Sequence, residues 1–341
     1  MKKLKIGIVG LGYMGNYHMR SYLANPRCSV FAVCDIDEKG AMRKMKELNC
    51  TAKYFSDYDM FLEQVDAVSI CSPNHIHASQ SIAAAKAGKH VLCEKPMATS
   101  LEDAQRILAA VEKAEIKFMV GYHRRFNPIS QQSKKMVQRG DLGRIFFAEC
   151  DYLDYIPLEL PIWSSLKNQR FSGSLFHAGA GHCVDLLRWI VGEIIEVTAF
   201  KDVYVRDVAT EDTAVALYRF KNGAIGKCQF SLCSIRPFKF SLSLYGKKGT
   251  IVNNKLCLDT FPDFHLLKQR AWVEFPENWI WSNVPCTINE PHHLEINHFV
   301  DCIIDNKEPL IGVRDGYKTT EVCLATVKAA EEKRIVKLSI P

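Results

Sequence analysis

Over its first 120 residues the sequence repeats one phrase: a short apolar run, a helix-like segment, then another apolar run. KIGIVG (5–10), SVFAVCD (29–35), DAVSICSP (66–73), KHVLCE (89–94) and KFMVGY (117–122) read as buried strands. Between them lie helical stretches near 14–25, through Leu48, at IHASQSIAAAKAG (76–88) and at SLEDAQRILAAVEKA (100–114). Ser100 three residues before Asp103 is a capping-box-like start, and Gly88 a helix stop. Strands recurring with helices of this length form right-handed βαβ units, and so a doubly wound parallel sheet. Few other folds satisfy that constraint.

After about Gly121 the pattern changes. A helix near 128–139 precedes GRIFFAECDYLDY (143–155), which alternates as a half-buried strand does. A loop rich in Pro and Trp follows, then a helix near 176–191. Next comes a meander of strands at 194–205, 212–220, 224–232, 238–246 and 250–254, with turns KNG and KKG. Asn222-Gly223 between alternating runs is a strong hairpin signal. Helices near 291–305 and 315–330 and a short strand IVKLSI close the chain. The expected fold is α/β: a parallel domain over 1–121, then an α/β domain over 122–341 with a large, mostly antiparallel sheet.

Composition narrows the setting. The 341 residues are 48% hydrophobic and 24% charged, as in a soluble globular protein. No apolar run reaches the roughly 18 residues of a membrane span, and the basic start MKKLKIGIVG lacks a signal peptide's cleavage region. The thirteen cysteines form no CxxC pair and read as apolar core thiols in a reducing compartment, so a cytoplasmic protein is expected. A net charge of +6, spread along the chain without a basic aromatic stripe, gives no reason to expect a nucleic-acid partner.

GIVGLGYMG places Gly10, Gly12 and Gly15 as G-x-G-x-x-G between the first strand and the first helix. Gly10 permits the turn, Gly12 admits a pyrophosphate to the backbone, and Gly15 allows close helix–strand packing. The N–H groups of Tyr13 and Met14 complete the candidate phosphate cradle at a helix N-terminus. Asp35 ends the second strand twenty residues past Gly15, where a ribose-binding carboxylate is expected. A carboxylate there repels a 2′-phosphate, so NAD rather than NADP is the expected cofactor.

Ligands of open α/β sheets bind beyond the carboxyl ends of the strands, and Glu94-Lys95-Pro96 stands at such an end. When hydride leaves an alcohol carbon the hydroxyl proton must leave too. An ammonium beside that oxygen stabilises the developing alkoxide, and a base relays the proton outward. Lys95 suits the first role.

Together GIVGLGYMG, SPNHIHA, AGKHVLCEKPMA, GYHRRFNP, GHCVDLLRW, EINHFVDCI and EPLIGVRDGYKTTEV resemble the glucose–fructose oxidoreductase/inositol dehydrogenase/MocA family across nearly the whole chain. The resemblance implies a Rossmann domain and an α/β domain whose open sheet commonly forms subunit interfaces, hence a homodimer or homotetramer. It implies NAD(P)-dependent oxidation or reduction at a secondary alcohol of a sugar, cyclitol or related polyol. It further implies that Lys95 contacts substrate and assists proton transfer, with a Lys–Pro bond that is often cis.

In the second domain the family pattern is an acid and, four residues later, a histidine. Here FSGSLFHAGAGHCVDLLRW puts His182 at the histidine position and Ala178 where the acid is usual. Either His177 takes the acid's place or the register shifts by one around the extra glycine. His182 is the expected proton relay and His177 a substrate contact. The departure at Ala178 weakens assignment to the inositol dehydrogenases proper.

Position supplies further candidates. Ser72, Asn74 and His77, at and just past the end of the run DAVSICSP (66–73), should with Glu94 line the cofactor cleft. His75-x-His77 is no metal site, since no third ligand accompanies it. Tyr122, His123 and Arg124 end or follow the run KFMVGY (117–122) and should face substrate. Asp151, Tyr155, Trp163 and Arg170 should wall the pocket. Two other readings remain open: an NAD-holding glycosidase using transient oxidation, and a nucleotide-binding sensor without turnover.

Overall fold

The computed structural model describes residues 3–156, 167–205, 207–259, 272–274 and 291–338. They form two compact units. The first comprises Met1–His123, Arg170–Gly173 and Cys286–Thr320; the second comprises Arg124–Gln169, Ser174–Pro285 and Glu321–Pro341.

The first unit is built on six parallel strands: β1 (Leu4–Val9), β2 (Cys28–Cys34), β3 (Lys53–Phe55), β4 (Ala67–Ile70), β5 (His90–Cys93) and β6 (Phe118–Val120). Their spatial order is β3-β2-β1-β4-β5-β6, the doubly wound arrangement with its switch point between β1 and β4. Helices α1 (Tyr13–Ala24), α2 (Glu38–Glu47), α3 (Tyr58–Leu62), α4 (His77–Lys86) and α5 (Leu101–Ala114) connect them. β4 is buried along its whole length, as a strand covered on both faces must be. Ser100 Oγ accepts the Asp103 N–H at 3.1 Å, so the cap read from sequence forms.

Gly10 sits at φ +80°, where a Cβ would lie 2.8 Å from the Ser72 backbone. A Cβ at Gly15 would lie 2.0 Å from the Gly10 carbonyl oxygen, so α1 packs against the turn only through glycine.

This unit does not end at residue 121. Helix α9, Pro291–Ile304 in the chain's last fifth, packs on α1. The Asn25 amide donates to Asn297 at 2.7 Å, Arg27 pairs with Asp301 and Asp305, and the Val120 N–H donates to the Ile311 carbonyl at 3.0 Å. No local pattern announces such a return, because its partners lie more than 180 residues away in sequence.

The second unit holds helix α6 (Pro128–Arg139), strand β7 (Ile145–Leu153) and helix α8 (Leu175–Val191), the single turn α7 (Gln169–Ser172) lying between them in sequence. The strand series continues with β8 (Ile194–Asp202), β9 (Thr213–Phe220), β10 (Ile225–Ser231), β11 (Lys239–Gly246), β12 (Gly249–Val252), β13 (Lys255–Leu258), β14 (Val273–Glu274) and β15 (Val336–Lys337). Among the described residues nine strands run β14-β13-β12-β11-β7-β10-β9-β8-β15, antiparallel except where β7 meets β10. Gly223, at φ +87°, turns the hairpin between β9 and β10. Helix α10 (Val313–Glu332) is divided between the units; its second half sends Val322, Cys323, Ala325 and Ala329 into the second unit's core.

One face of this sheet packs on α8. Ala148, Cys150, Ala216, Cys228 and Phe230 lie in that core with Phe176, Ala180, Cys183 and Leu187 of the helix. A Cβ at Gly179 would lie 2.4 Å from the Phe230 ring, so glycine brings α8 down onto β10. Among the described residues no helix is long and apolar enough to cross a membrane.

Candidate active site

In the first unit the candidate residues gather at the carboxyl end of the parallel sheet. Gly12 caps α1 without a side-chain bond, and a Cβ there would meet nothing within 4 Å. The backbone is open at the position where the first N–H groups of the helix have no intrahelical partner. Beside it, Asp35 Oδ2 accepts the Leu11 N–H at 2.5 Å and Oδ1 accepts the Asp37 N–H at 2.9 Å. The Tyr54 hydroxyl donates to the Asp35 carbonyl at 2.8 Å. Each carboxylate oxygen keeps lone-pair capacity for a hydroxyl of a ribose diol. An open cradle next to an oriented carboxylate fits an unphosphorylated dinucleotide. Ile36, fully exposed beside Asp35, offers an apolar surface at the same strand end. The alternating pattern gave it no distinction, since only tertiary exposure marks it.

Lys95 follows β5, half-buried, and its peptide bond to Pro96 is cis. Its N–H donates to Oε2 of the buried Glu94 at 3.1 Å. Burial pushes the Glu94 carboxyl up, but the His18 hydrogen bond and the charges of His18, Lys95 and His292 outweigh it and hold the group below its ordinary range. His77 lies under the same turn, with Nδ1 2.8 Å from the Pro96 carbonyl and Nε2 2.7 Å from the Ser72 carbonyl. Both ring nitrogens are thus engaged with backbone. Burial lowers the His77 pKa despite the opposing pull of those carbonyls. Ser72 donates to Gln80 at 2.6 Å and Asn74 to the Ser172 carbonyl at 3.0 Å; His75 packs on Phe171 at 4.7 Å.

Tyr122 is fully buried after β6. The adjacent His123 stacks on His292 with ring centroids 3.6 Å apart, and Tyr17 also stacks on His292 at 5.7 Å. His292, carried on α9 and close enough to Glu94 to affect its ionisation, is a site residue that reading strand ends missed.

In the second unit the candidate residues His177 and His182 lie on helix α8. Ser174 caps it by accepting the His177 N–H at 3.2 Å, and the buried Glu211 accepts from Ser174 Oγ at 2.5 Å and from the Phe176 N–H at 2.7 Å. A carboxylate at the positive end of the helix dipole is favourable. Lys201 pairs with Glu211 at 3.2 Å; burial lowers its pKa, but Glu331 and Glu211 raise it further. The helix runs unbroken through Gly179 and Gly181, so Ala178 lies one turn before His182 while His177 is rotated about 100° around the axis. Both histidines are buried. His182, Asp185 and Trp189 share a stripe, and Arg125 bonds Asp185 at 2.7 and 2.8 Å with its guanidinium 5.4 Å from the Trp189 ring. Arg124 is buried too, 4.7 Å over Phe240 and 5.6 Å from Phe238; burial lowers its pKa.

Asp151 is not brought to this helix. It projects from the opposite face of the sheet, where Lys227 donates to it at 2.8 Å and the Gln229 N–H at 3.1 Å. The alternation of β7 decides this: Cys150 faces α8, so Asp151 faces away. Tyr155 lies partly exposed at a bridge to Cys233. Arg170 falls in the turn α7, and Trp163 lies outside the described residues. Among the described residues no group of three or more His, Cys, Asp or Glu is placed to hold a metal ion.

A glycine cradle with an oriented carboxylate, on a sheet of this order, defines a Rossmann-type dinucleotide-binding protein. Residues 4–122 match the family described as "Oxidoreductase family, NAD-binding Rossmann fold", and residues 130–252 match the "GFO/IDH/MocA C-terminal domain". The chain belongs to the Gfo/Idh/MocA family of NAD-binding oxidoreductases. It is 28% identical to myo-inositol 2-dehydrogenase of Thermotoga maritima over 98% of both chains. It is 31% identical to inositol 2-dehydrogenase 1 of Saccharopolyspora erythraea, over 99% of this chain and 97% of that one. A solved levoglucosan dehydrogenase, in complex with NADH and levoglucosan, shares the fold with a TM-score of 0.89 at 24% identity, covering 99% of this chain and 100% of that one.

Proposed function

We propose that this protein is an NAD-dependent dehydrogenase acting on a secondary alcohol of a sugar or cyclitol, or on the corresponding ketone. The observation that carries the reading is Lys95, set at the carboxyl end of β5 in the sheet whose glycine turn and Asp35 suit a dinucleotide. Relatives named for inositol, levoglucosan and D-apiose support a polyhydroxylated substrate class.

NAD, when bound, supplies the hydride acceptor. The N–H groups at the start of α1 would hold its phosphates and Asp35 its ribose diol. The Lys95 ammonium stabilises an alkoxide as the alcohol loses its proton, and His182 is the proposed relay for that proton. His177 and Arg124, on the helix-side face of the second unit's sheet, are proposed substrate contacts.

NADH formation should be measured across inositols, anhydrosugars, pentoses and sugar acids, with Lys95→Ala as the control. Turnover on at least one, abolished by the substitution while NAD still binds, is expected. NADH production surviving in Lys95→Ala would remove the lysine from the chemistry, and no NADH from any member would remove the dehydrogenase reading.

Oligomerisation is part of the proposal. The sheet face turned away from α8 carries Phe200, Val215, Leu217 and Ile225, all exposed, and an apolar face of that kind favours association. A homodimer or homotetramer is expected in light scattering; a monomer at micromolar concentration would contradict it. Buried free thiols such as Cys150, Cys183, Cys228 and Cys323 favour a reducing, cytoplasmic setting.

A further inference from the structure

Behind the Lys95 turn lies a polar network that the proposed chemistry does not use. His18 on α1 is fully buried. Its Nδ1 lies 2.5 Å from Ser69 Oγ on β4, and its Nε2 lies 3.0 Å from Oε1 of Glu94. Tyr22, one helical turn further on, donates its hydroxyl to the same Ser69 oxygen at 3.3 Å. A carboxylate can only accept, so His18 Nε2 carries a proton and donates it to Glu94. The other carboxylate oxygen takes the Lys95 N–H at 3.1 Å. Just past β6, a Cβ at Gly121 would lie 3.3 Å from that carboxyl group, so glycine there leaves room for Glu94. The carboxylate is boxed in, with its two oxygens divided between the helix and the Lys95 backbone.

We propose that His18 is a positioning residue for Lys95, acting through Glu94. The helix that carries His18 is capped by Gly12, in the candidate phosphate cradle, six residues earlier. One imidazole therefore ties the cradle's helix to the turn that presents the ammonium. Misplacement of a reacting group by an ångström costs orders of magnitude in rate, and a rigid buried link prevents it. Removing the His18 donor leaves Oε1 buried without its partner; the carboxyl then takes up a proton or turns away, and the Lys95 backbone loses its acceptor. The inference rests on the dehydrogenase reading for its consequence in turnover, though not for the link itself.

The test uses the full chain with His18→Leu, which removes the donor, and His18→Gln, whose amide can replace Nε2. Three readouts are taken: the Glu94 carboxyl titration by carbon NMR, assigned against Glu94→Gln; hydrogen exchange at the Lys95 amide; and kcat against KM on the alcohol found by the panel. In His18→Leu the Glu94 midpoint should rise by about one pH unit or more. Lys95 amide exchange should accelerate at least about tenfold, and kcat should fall about 10- to 100-fold while KM and NAD affinity move less than about threefold. His18→Gln should restore most of each. Should His18→Leu fail to fold, Ser69→Ala loosens the ring from its other side and should move the same three readouts in the same direction, by less. An unchanged Lys95 amide, or equal losses in His18→Gln and His18→Leu that follow melting temperature alone, would overturn the proposal. If the panel gives no turnover, the dehydrogenase reading fails, and the titration and exchange data still decide whether the link holds.

Discussion

Arg125 and Asp185 meet inside the second unit in a two-pronged pair at 2.7 and 2.8 Å, both side chains essentially removed from solvent. The pair fixes the stripe of α8 that carries His182 one turn earlier. Breaking a buried pair costs far more than it contributes, because the surviving charge keeps its desolvation penalty. Asp185→Ala should therefore destabilise the second unit by about 3–5 kcal/mol. The double variant Arg125→Met/Asp185→Leu should recover most of that loss, and chemical unfolding followed by tryptophan fluorescence measures both. A loss below about 1 kcal/mol in the single variant would mean that the pair behaves as a solvated one.

The glycine turn separates folding from binding. Gly12→Ala adds a methyl to open space, so the melting temperature should hold while NAD affinity falls at least about tenfold. Gly15→Ala instead drives a Cβ to 2.0 Å from the Gly10 oxygen and should lower the melting temperature. Equal thermal losses in the two would remove Gly12 from the cradle.

Asp35 should decide the cofactor. With Asp35→Ser the Leu11 N–H loses a charged acceptor and a ribose diol loses its anchor, so NAD affinity should fall about 10- to 100-fold. NADP affinity should rise, because the repulsion of a 2′-phosphate is gone. Calorimetry with both cofactors measures the ratio, and an unchanged ratio would refute the assignment.

Two histidines of the first unit are held neutral. His90 Nδ1 accepts the Lys117 N–H at 3.0 Å, and His298 Nε2 accepts the Leu310 N–H at 3.0 Å. Burial lowers both pKa values, with the nearby charges of Lys117 and Lys307 helping. Their stabilising contribution is present above the unfolded value of roughly 6.5 and is lost as pH falls through the lowered folded values. His90→Asn and His298→Gln keep an acceptor and remove the titration. Together they should flatten the decline of melting temperature below about pH 6.5, leaving the share of His77, which has the same sign. An unchanged slope would show that neither histidine is linked to folding.

Much of the fold was legible because strand period, helix caps and glycine turns are local. The cap at Ser100, the hairpin at Asn222-Gly223 and helix α6 all form where their residues foretold. The strand β3 escaped notice, since three residues at a sheet edge are too few to show a period. The candidate site was less legible. Which face of the sheet Asp151 takes was not legible; the pleat of β7 places it opposite α8. His292 carried no motif and reaches the Glu94 end of the sheet only because α9 returns to pack on α1.

The sequence by itself determined the parallel sheet, the glycine turn with its carboxylate, and the lysine at a strand end, since each follows from spacing along a few consecutive residues. Only the tertiary structure decided that His18 grips Glu94, that Arg125 clamps the stripe of His182, and that α9 belongs with the first sheet. Those are contacts between segments 60 to more than 270 residues apart, selected by burial and by the need to pair every buried charge and hydrogen-bonding group, and no local pattern encodes them.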